Sequence, residues 1–259
     1  MTSLAAFTLW QRELQRFFRQ PSRVAGAIGT PLVFWLFMGS GLAGSFRLPG
    51  AGGQGVSYLQ FFFPGTIALV LLFAAIFSTI SVIEDRHEGF LQAVLVSPVP
   101  RGAIVAGKVL GGATLAWLQG VLFLFLAPLA GIPLSLRSFL EAAGVLALLA
   151  VSLTAIGFGF AWKVDSVQGF HAVMNVVLLP MWLLSGSFFP LAGAPLWLGL
   201  LMRINPLTYG ITALRGVLAL PSTSVIASVP VAIPLAITVA LALLAFSADL
   251  LVTRGGRVE

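Results

Sequence analysis

The 259-residue sequence has no cysteine, so disulfides, thiolate catalysis and cysteine-ligated metal centres are excluded. Only two histidines occur, His87 and His171, too few for a histidine-rich metal cluster. Charge is also scarce: 8% of residues are Asp, Glu, Lys or Arg, against roughly 25% in soluble domains. A chain so poor in charge cannot cover a water-facing surface, and its solvent is expected to be lipid. The motifs of several soluble chemistries are missing. There is no GxxxxGK[ST] loop to cradle the phosphates of ATP, no GxSxG, and no HExxH. No cofactor is expected on this chain, no metal site and no catalytic residue.

What is present is apolar. The hydrophobic fraction is 59%, with 21 Phe and 6 Trp, and the mean hydropathy is +1.04. The net charge is +6, but the 14 basic residues form no run that would suit nucleic acid. They sit at the ends of apolar stretches, as the positive-inside rule requires.

A hydrocarbon core of about 30 Å needs about 20 apolar helical residues. Six stretches qualify: 24–44, 58–83, 104–126, 140–162, 171–190 and 229–251. The first is longer than the apolar part of a signal peptide and is read as a retained span. The chain is thus expected to be an all-α polytopic membrane protein with six transmembrane helices. Placing both termini in the cytoplasm puts Arg12, Arg16, Arg19, Arg23, Arg86, Arg101, Lys108, Lys163, Arg254 and Arg257 inside. Arg47, Arg137, Arg203 and Arg215 then lie outside, and ten against four favours that orientation.

Before the first span, Arg12, Arg16, Arg19 and Arg23 recur at spacings that stack them on one helical face. Phe7, Trp10, Leu14, Phe17 and Phe18 centre on the other. Residues 1–23 therefore read as an amphipathic interfacial helix, apolar side in acyl chains and arginines toward anionic headgroups. A cytoplasmic extension of the first span is the alternative, which Pro21 disfavours.

The stretch 191–228 stays apolar but is broken by Pro195, Pro206 and Pro221. Irregular backbone at membrane depth survives only when buried in protein or lining a cavity. Short re-entrant helices, over Leu196–Ile204 and Leu207–Leu220, fit this better than a seventh span, which would carry Arg254 and Arg257 outside.

The densest polar segment follows the second span: Glu84-Asp85-Arg86-His87-Glu88-Gly89. Phe90, Leu91, Val94 and Leu95 then fall on one helical face, and Pro98 and Pro100 end the helix. Such a helix needs a partner for its apolar side, or rests on the membrane surface. The span centres carry almost no ionisable residues, so a secondary transporter would have no evident coupling site. His171 and Asn175, one turn apart, either line a pathway or hydrogen-bond between helices. The Gly107–Gly111 spacing suits close helix contact.

At the polar segment the sequence resembles the ABC-2 family of ABC transporter permeases, especially the drug-export type typified by daunorubicin-resistance permeases. The matching residues are Glu84, Arg86, Gly89, Leu91, Leu95, Ser97-Pro98, Arg101 and Gly107-Lys108. A second match is Ser187-Phe188-Phe189-Pro190, then Asn205-Pro206-Leu207-Thr208-Tyr209 and Leu214-Arg215. The resemblance covers essentially the whole chain.

It implies a permease subunit of the plasma (inner) membrane that pairs with a second permease, as a homodimer or heterodimer, and docks two copies of a separate ATPase carrying ATP and Mg. The segment 84–101 would be the coupling helix, with Glu84, Arg86, Glu88, Gly89, Phe90, Leu91, Val94, Leu95, Ser97, Pro98 and Arg101 at the ATPase interface. The outer gate would include Phe188, Phe189, Pro190, Asn205, Pro206, Tyr209 and Arg215. A lipophilic or amphipathic cargo is expected, on a route lined by spans one, two and five. A membrane scaffold without transport activity is the alternative reading.

Overall fold

The structure is a computed structural model that describes residues 2–42, 57–188, 195–220 and 230–255. Among these residues every regular element is helical. Ten α-helices follow in order: α1 Thr2–Phe18, α2 Pro21–Gly41, α3 Tyr58–His87, α4 Phe90–Val96, α5 Arg101–Leu124, α6 Leu136–Lys163, α7 Val167–Trp182, α8 Leu196–Ile204, α9 Pro206–Val217 and α10 Ala232–Gly255. A 3-10 turn, Ala127–Ala130, joins α5 to α6.

Five described helices are long and apolar enough to cross a membrane: α3, α5, α6, α7 with its continuation to Ser187, and α10. The stretch expected as the first span forms α2, whose apolar part, Ala25–Gly41, is shorter than those five.

The helix starts follow from local chemistry. Ser57 accepts from the Gln60 amide at the head of α3, and the Gln60 side chain accepts from the Ser57 amide in return. Ser135 and Ser138 make the same reciprocal cap on α6. Each cap satisfies amide donors that have no partner within the helix. Between α3 and α4 the chain turns at Gly89, whose φ of 78° favours a residue without Cβ. Pro100 is the residue before α5, and its missing N–H costs nothing there.

Helix α3 is the centre of the bundle. It packs against α2, α5, α6 and α7, and nearly every side chain from Tyr58 to Ile83 is buried. It therefore has almost no exposed face left to line the route expected along spans one, two and five. Exposed apolar residues lie instead on α2 (Val33, Leu36, Phe37) and α7 (Val176, Val177, Leu179).

Helix α1 departs from the expected arrangement. It lies along α5 at the spacing of Gly107 and Gly111. A Cβ on Gly107 would meet Leu9 Cβ at 2.6 Å, and one on Gly111 would meet Glu13 Cβ at 2.8 Å. Small residues let the two backbones approach this closely. Leu9, Glu13 and Phe17 are buried in that contact, while Leu4, Phe7 and Phe18 stay exposed. Trp10 donates to Thr114 Oγ1 at 3.1 Å.

Candidate functional site

Two constellations stand at opposite ends of α3. The first gathers the charged residues of the polar segment. Asp85 is fully buried, which for an ionised carboxylate is costly unless paired. Arg12 supplies a fork, with Nη1 donating to Asp85 Oδ2 at 2.8 Å and Nη2 to Oδ1 at 2.7 Å. Arg16 donates to Asp85 Oδ1 at 2.6 Å and to Glu84 Oε2 at 2.8 Å. Lys108, from α5, donates to Asp85 and, at 2.6 Å, to Glu13 Oε1. Ser81 closes the ring: it accepts from Lys108 at 3.2 Å and donates to Glu13 Oε2 at 2.7 Å.

Three cations thus face four carboxylates, since Glu88 lies 3.4 Å from Arg16. Its hydrogen bonds with Asp85 outweigh the effect of burial and hold the Arg12 guanidinium above its ordinary range. The expectation that these arginines turn to lipid headgroups fails for Arg12 and Arg16. Their partners are the acids at the end of α3. The side chain of Arg23 lies outside the described residues.

This network positions α4. Arg12 Cζ sits 3.7 Å from the centroid of the Phe90 ring, a cation–π contact. Leu91 is buried, and Phe90, Val94 and Leu95 pack against the core of the chain itself. The apolar face expected to need a partner therefore has one within this chain. What α4 offers outward is Gln92, Ala93 and Val96, flanked by Glu88 and Pro98, with Val96 88% exposed. Ser97 turns inward, donating to Val94 O at 2.6 Å.

Two other basic residues of the segment close helix ends. Arg86 donates to Val164 O at 3.1 Å, Trp162 O at 2.5 Å and Asp165 Oδ1 at 3.0 Å. It thereby satisfies carbonyls at the C-terminus of α6, where a cation also suits the helix dipole. His87 joins it through a hydrogen bond between Nε2 and Asp165 O at 2.7 Å. Arg101 donates to Thr253 O in the last turn of α10. The segment ties α1, α3, α5, α6 and α10 into one rigid end.

The second constellation lies at the other end. Helix α7 carries Pro180 and runs into a π-helical turn, Leu183–Ser187. That turn contains Gly186 at φ 76°. Arg215, buried on α9, donates from Nη2 to Gly186 O and to Phe61 O, each at 3.0 Å. Its guanidinium also stacks 4.2 Å over the Phe61 ring. One arginine thus joins α9, α3 and the turn after α7.

Asn205 connects the same parts. Its Nδ2 donates to Met181 O at 2.5 Å while its Oδ1 accepts from Leu207 N at 3.0 Å. Pro206 follows as the first residue of α9, where no amide is needed. Tyr209 donates to Arg203 O at 2.8 Å, holding α9 to α8. Phe188 packs its ring against Phe34, Phe62 and Trp182, at centroid distances of 6.1, 5.7 and 6.3 Å. Tyr58 donates to its carbonyl at 3.0 Å. Phe189 and Pro190 lie outside the described residues. His171 meets the Phe77 ring edge-on, at 6.5 Å between centroids, while Asn175 is exposed on α7.

Residues 5–219 match the family model described as ABC-2 type transporter. The chain is 30% identical over 216 residues to the inner membrane transport permease YadH of Escherichia coli (strain K12), covering 82% of each protein. It is 29% identical over 213 residues to the ycf38 protein of Cyanophora paradoxa, covering 81% of this chain and 72% of that one. Nodulation protein J of Rhizobium leguminosarum bv. trifolii is 28% identical over 219 residues, 83% of this chain and 82% of the relative.

Proposed function

The chain belongs to the ABC-2 type transporter family, and from that membership we propose that it is the permease subunit of an ATP-driven exporter. Its energy comes from a separate ATPase, of which two copies dock on a pair of permeases. The pair is a homodimer or includes a related chain, and ATP and Mg reside on the ATPase. Six spans cross the inner membrane with both termini cytoplasmic, α2 serving as the first. Helices α8 and α9 re-enter at the outer mouth, with Arg215, Asn205, Tyr209 and Phe188 fixing the gate.

One observation carries this reading: α4 is clamped from behind by Arg12 over Phe90 and by buried Leu91, and it presents Gln92, Ala93 and Val96 outward. A helix so held can pass a push from a bound ATPase into α1, α3 and α5 without deforming. A helix merely lying on lipid would place its apolar side in the membrane instead. Within the segment, Glu88, Gly89, Gln92, Ala93, Val96 and Pro98 touch the ATPase. Glu84, Arg86, Phe90, Leu91, Val94, Leu95, Ser97 and Arg101 hold the interface in place from inside this chain.

The route is lined by the exposed apolar faces of α2 and α7, whose lack of charge suits a lipophilic or amphipathic cargo. Reconstitution of the full chain in lipid with a Walker-type ABC ATPase subunit that co-purifies with it tests the proposal. ATP hydrolysis should rise on addition of lipophilic cations or glycolipids. Hydrolysis indifferent to every amphipath, with the chain present only as an anchor, would favour a scaffold.

A further inference from the structure

At the end of the bundle that carries α4, helices α6 and α10 leave a groove of about 250 Å³ between them. Gly159, Phe160 and Lys163 of α6 line it, with Ala245, Asp249 and Val252 of α10. Asp249 is only 3% exposed, and its Oδ2 has no hydrogen-bond partner among the described residues. Its Oδ1 occupies the space that a side chain on Gly159 would take, 2.9 Å from where that Cβ would stand. The carboxylate is thus seated against a bare stretch of α6 backbone, one turn before Lys163. Lys163 is the last residue of α6 and is exposed at the rim.

A buried carboxylate oxygen with no donor is costly, and acids within membrane helices are rare where they do not serve a ligand or pathway. The groove lies among apolar span residues, so its occupant comes from the bilayer. It must bring an N–H donor to Asp249 and an acceptor of opposite charge to Lys163. We propose that this groove binds the headgroup of phosphatidylethanolamine, the primary ammonium donating to Asp249 Oδ2 and the phosphate meeting Lys163. The acyl chains then lie along Phe160, Ala245 and Val252. Phosphatidylglycerol brings only neutral hydroxyl donors to the acid and no cation. A choline headgroup carries the positive charge but has no N–H to give.

The test compares thermal stability of the delipidated full chain in detergent with phosphatidylethanolamine, phosphatidylcholine or phosphatidylglycerol of the same acyl composition. Phosphatidylethanolamine should raise the melting temperature several degrees more than the other two. Asp249→Asn should remove that increment, and Lys163→Gln should reduce it. In the wild type the increment should fall stepwise through the mono- and dimethylated ethanolamine lipids, a series that decides the matter even where Asp249→Asn does not fold. Equal stabilisation by phosphatidylcholine, or an undiminished increment in Asp249→Asn, would overturn the proposal. Equal stabilisation by dodecylamine would also overturn it, by showing a site for simple amine amphiphiles rather than for this lipid.

Discussion

Lys108 Nζ on α5 lies 2.6 Å from Glu13 Oε1 on α1, and both side chains are almost fully buried. The same ammonium reaches Asp85 on α3. Three helices that are far apart in sequence are thus pinned by one cation, at the end of the bundle where α4 is held. Removing that cation leaves two buried carboxylates with Arg12, Arg16 and the neutral Ser81 hydroxyl to answer them. Lys108→Met should therefore lower stability by about 3–5 kcal/mol, as breaking a buried pair does. Adding Glu13→Gln to Lys108→Met removes one of the stranded acids and should recover part of the loss. Melting curves of the purified single and double variants check this. Additive losses would show that the two groups do not interact.

Because the chain has no cysteine, single introduced cysteines report topology without background. Val96 and Leu129 are 88% and 72% exposed, and α5 runs the length between them. Leu129→Cys should react with a membrane-impermeant maleimide in intact cells, and Val96→Cys only after permeabilisation. Labelling of both from one side would contradict the proposed orientation.

At the other end, Arg215 answers the carbonyls of Phe61 and Gly186 from a buried position. Arg215→Leu removes both charge-assisted hydrogen bonds, at about 1.5–3 kcal/mol each. The variant should melt at a lower temperature and lose ATP-driven transport, yet retain the bound ATPase, because the change is at the far end of α3. Loss of the ATPase with transport would place Arg215 in assembly rather than in the gate.

The helices were legible in the sequence because apolar length and proline are local signals. The stretch 58–83 is α3 up to its polar end, and the short helices expected around 196–204 and 207–220 are α8 and α9. Gly107 and Gly111 do mark a close helix contact, as their spacing suggested. The partners were not legible. Periodicity put Arg12 and Arg16 on one face of α1, but nothing local says that this face meets Asp85, 73 and 69 residues away. The amphipathic pattern of α4 likewise showed a face to be buried, without saying that this chain itself would bury it. The family resemblance puts Arg86 and Arg101 at the ATPase interface; that they close the ends of α6 and α10 could not be read locally, because those ends are distant in sequence. The buried Asp249 carried one available signal, a lone acid in the last apolar stretch.

The central claim is that α4 docks a separate ATPase through the face it turns away from the chain. Co-purification of that ATPase with the full-length permease tests it most directly. Wild type is compared with Ala93→Asp/Val96→Asp on the exposed face and with Leu129→Ser at the opposite end. Losing a central apolar contact of an interface costs on the order of 2 kcal/mol, roughly a 30-fold weaker association. The double variant should therefore insert normally but lose most of its ATPase, while Leu129→Ser keeps it. Retention of the ATPase by Ala93→Asp/Val96→Asp at the wild-type level would contradict the account.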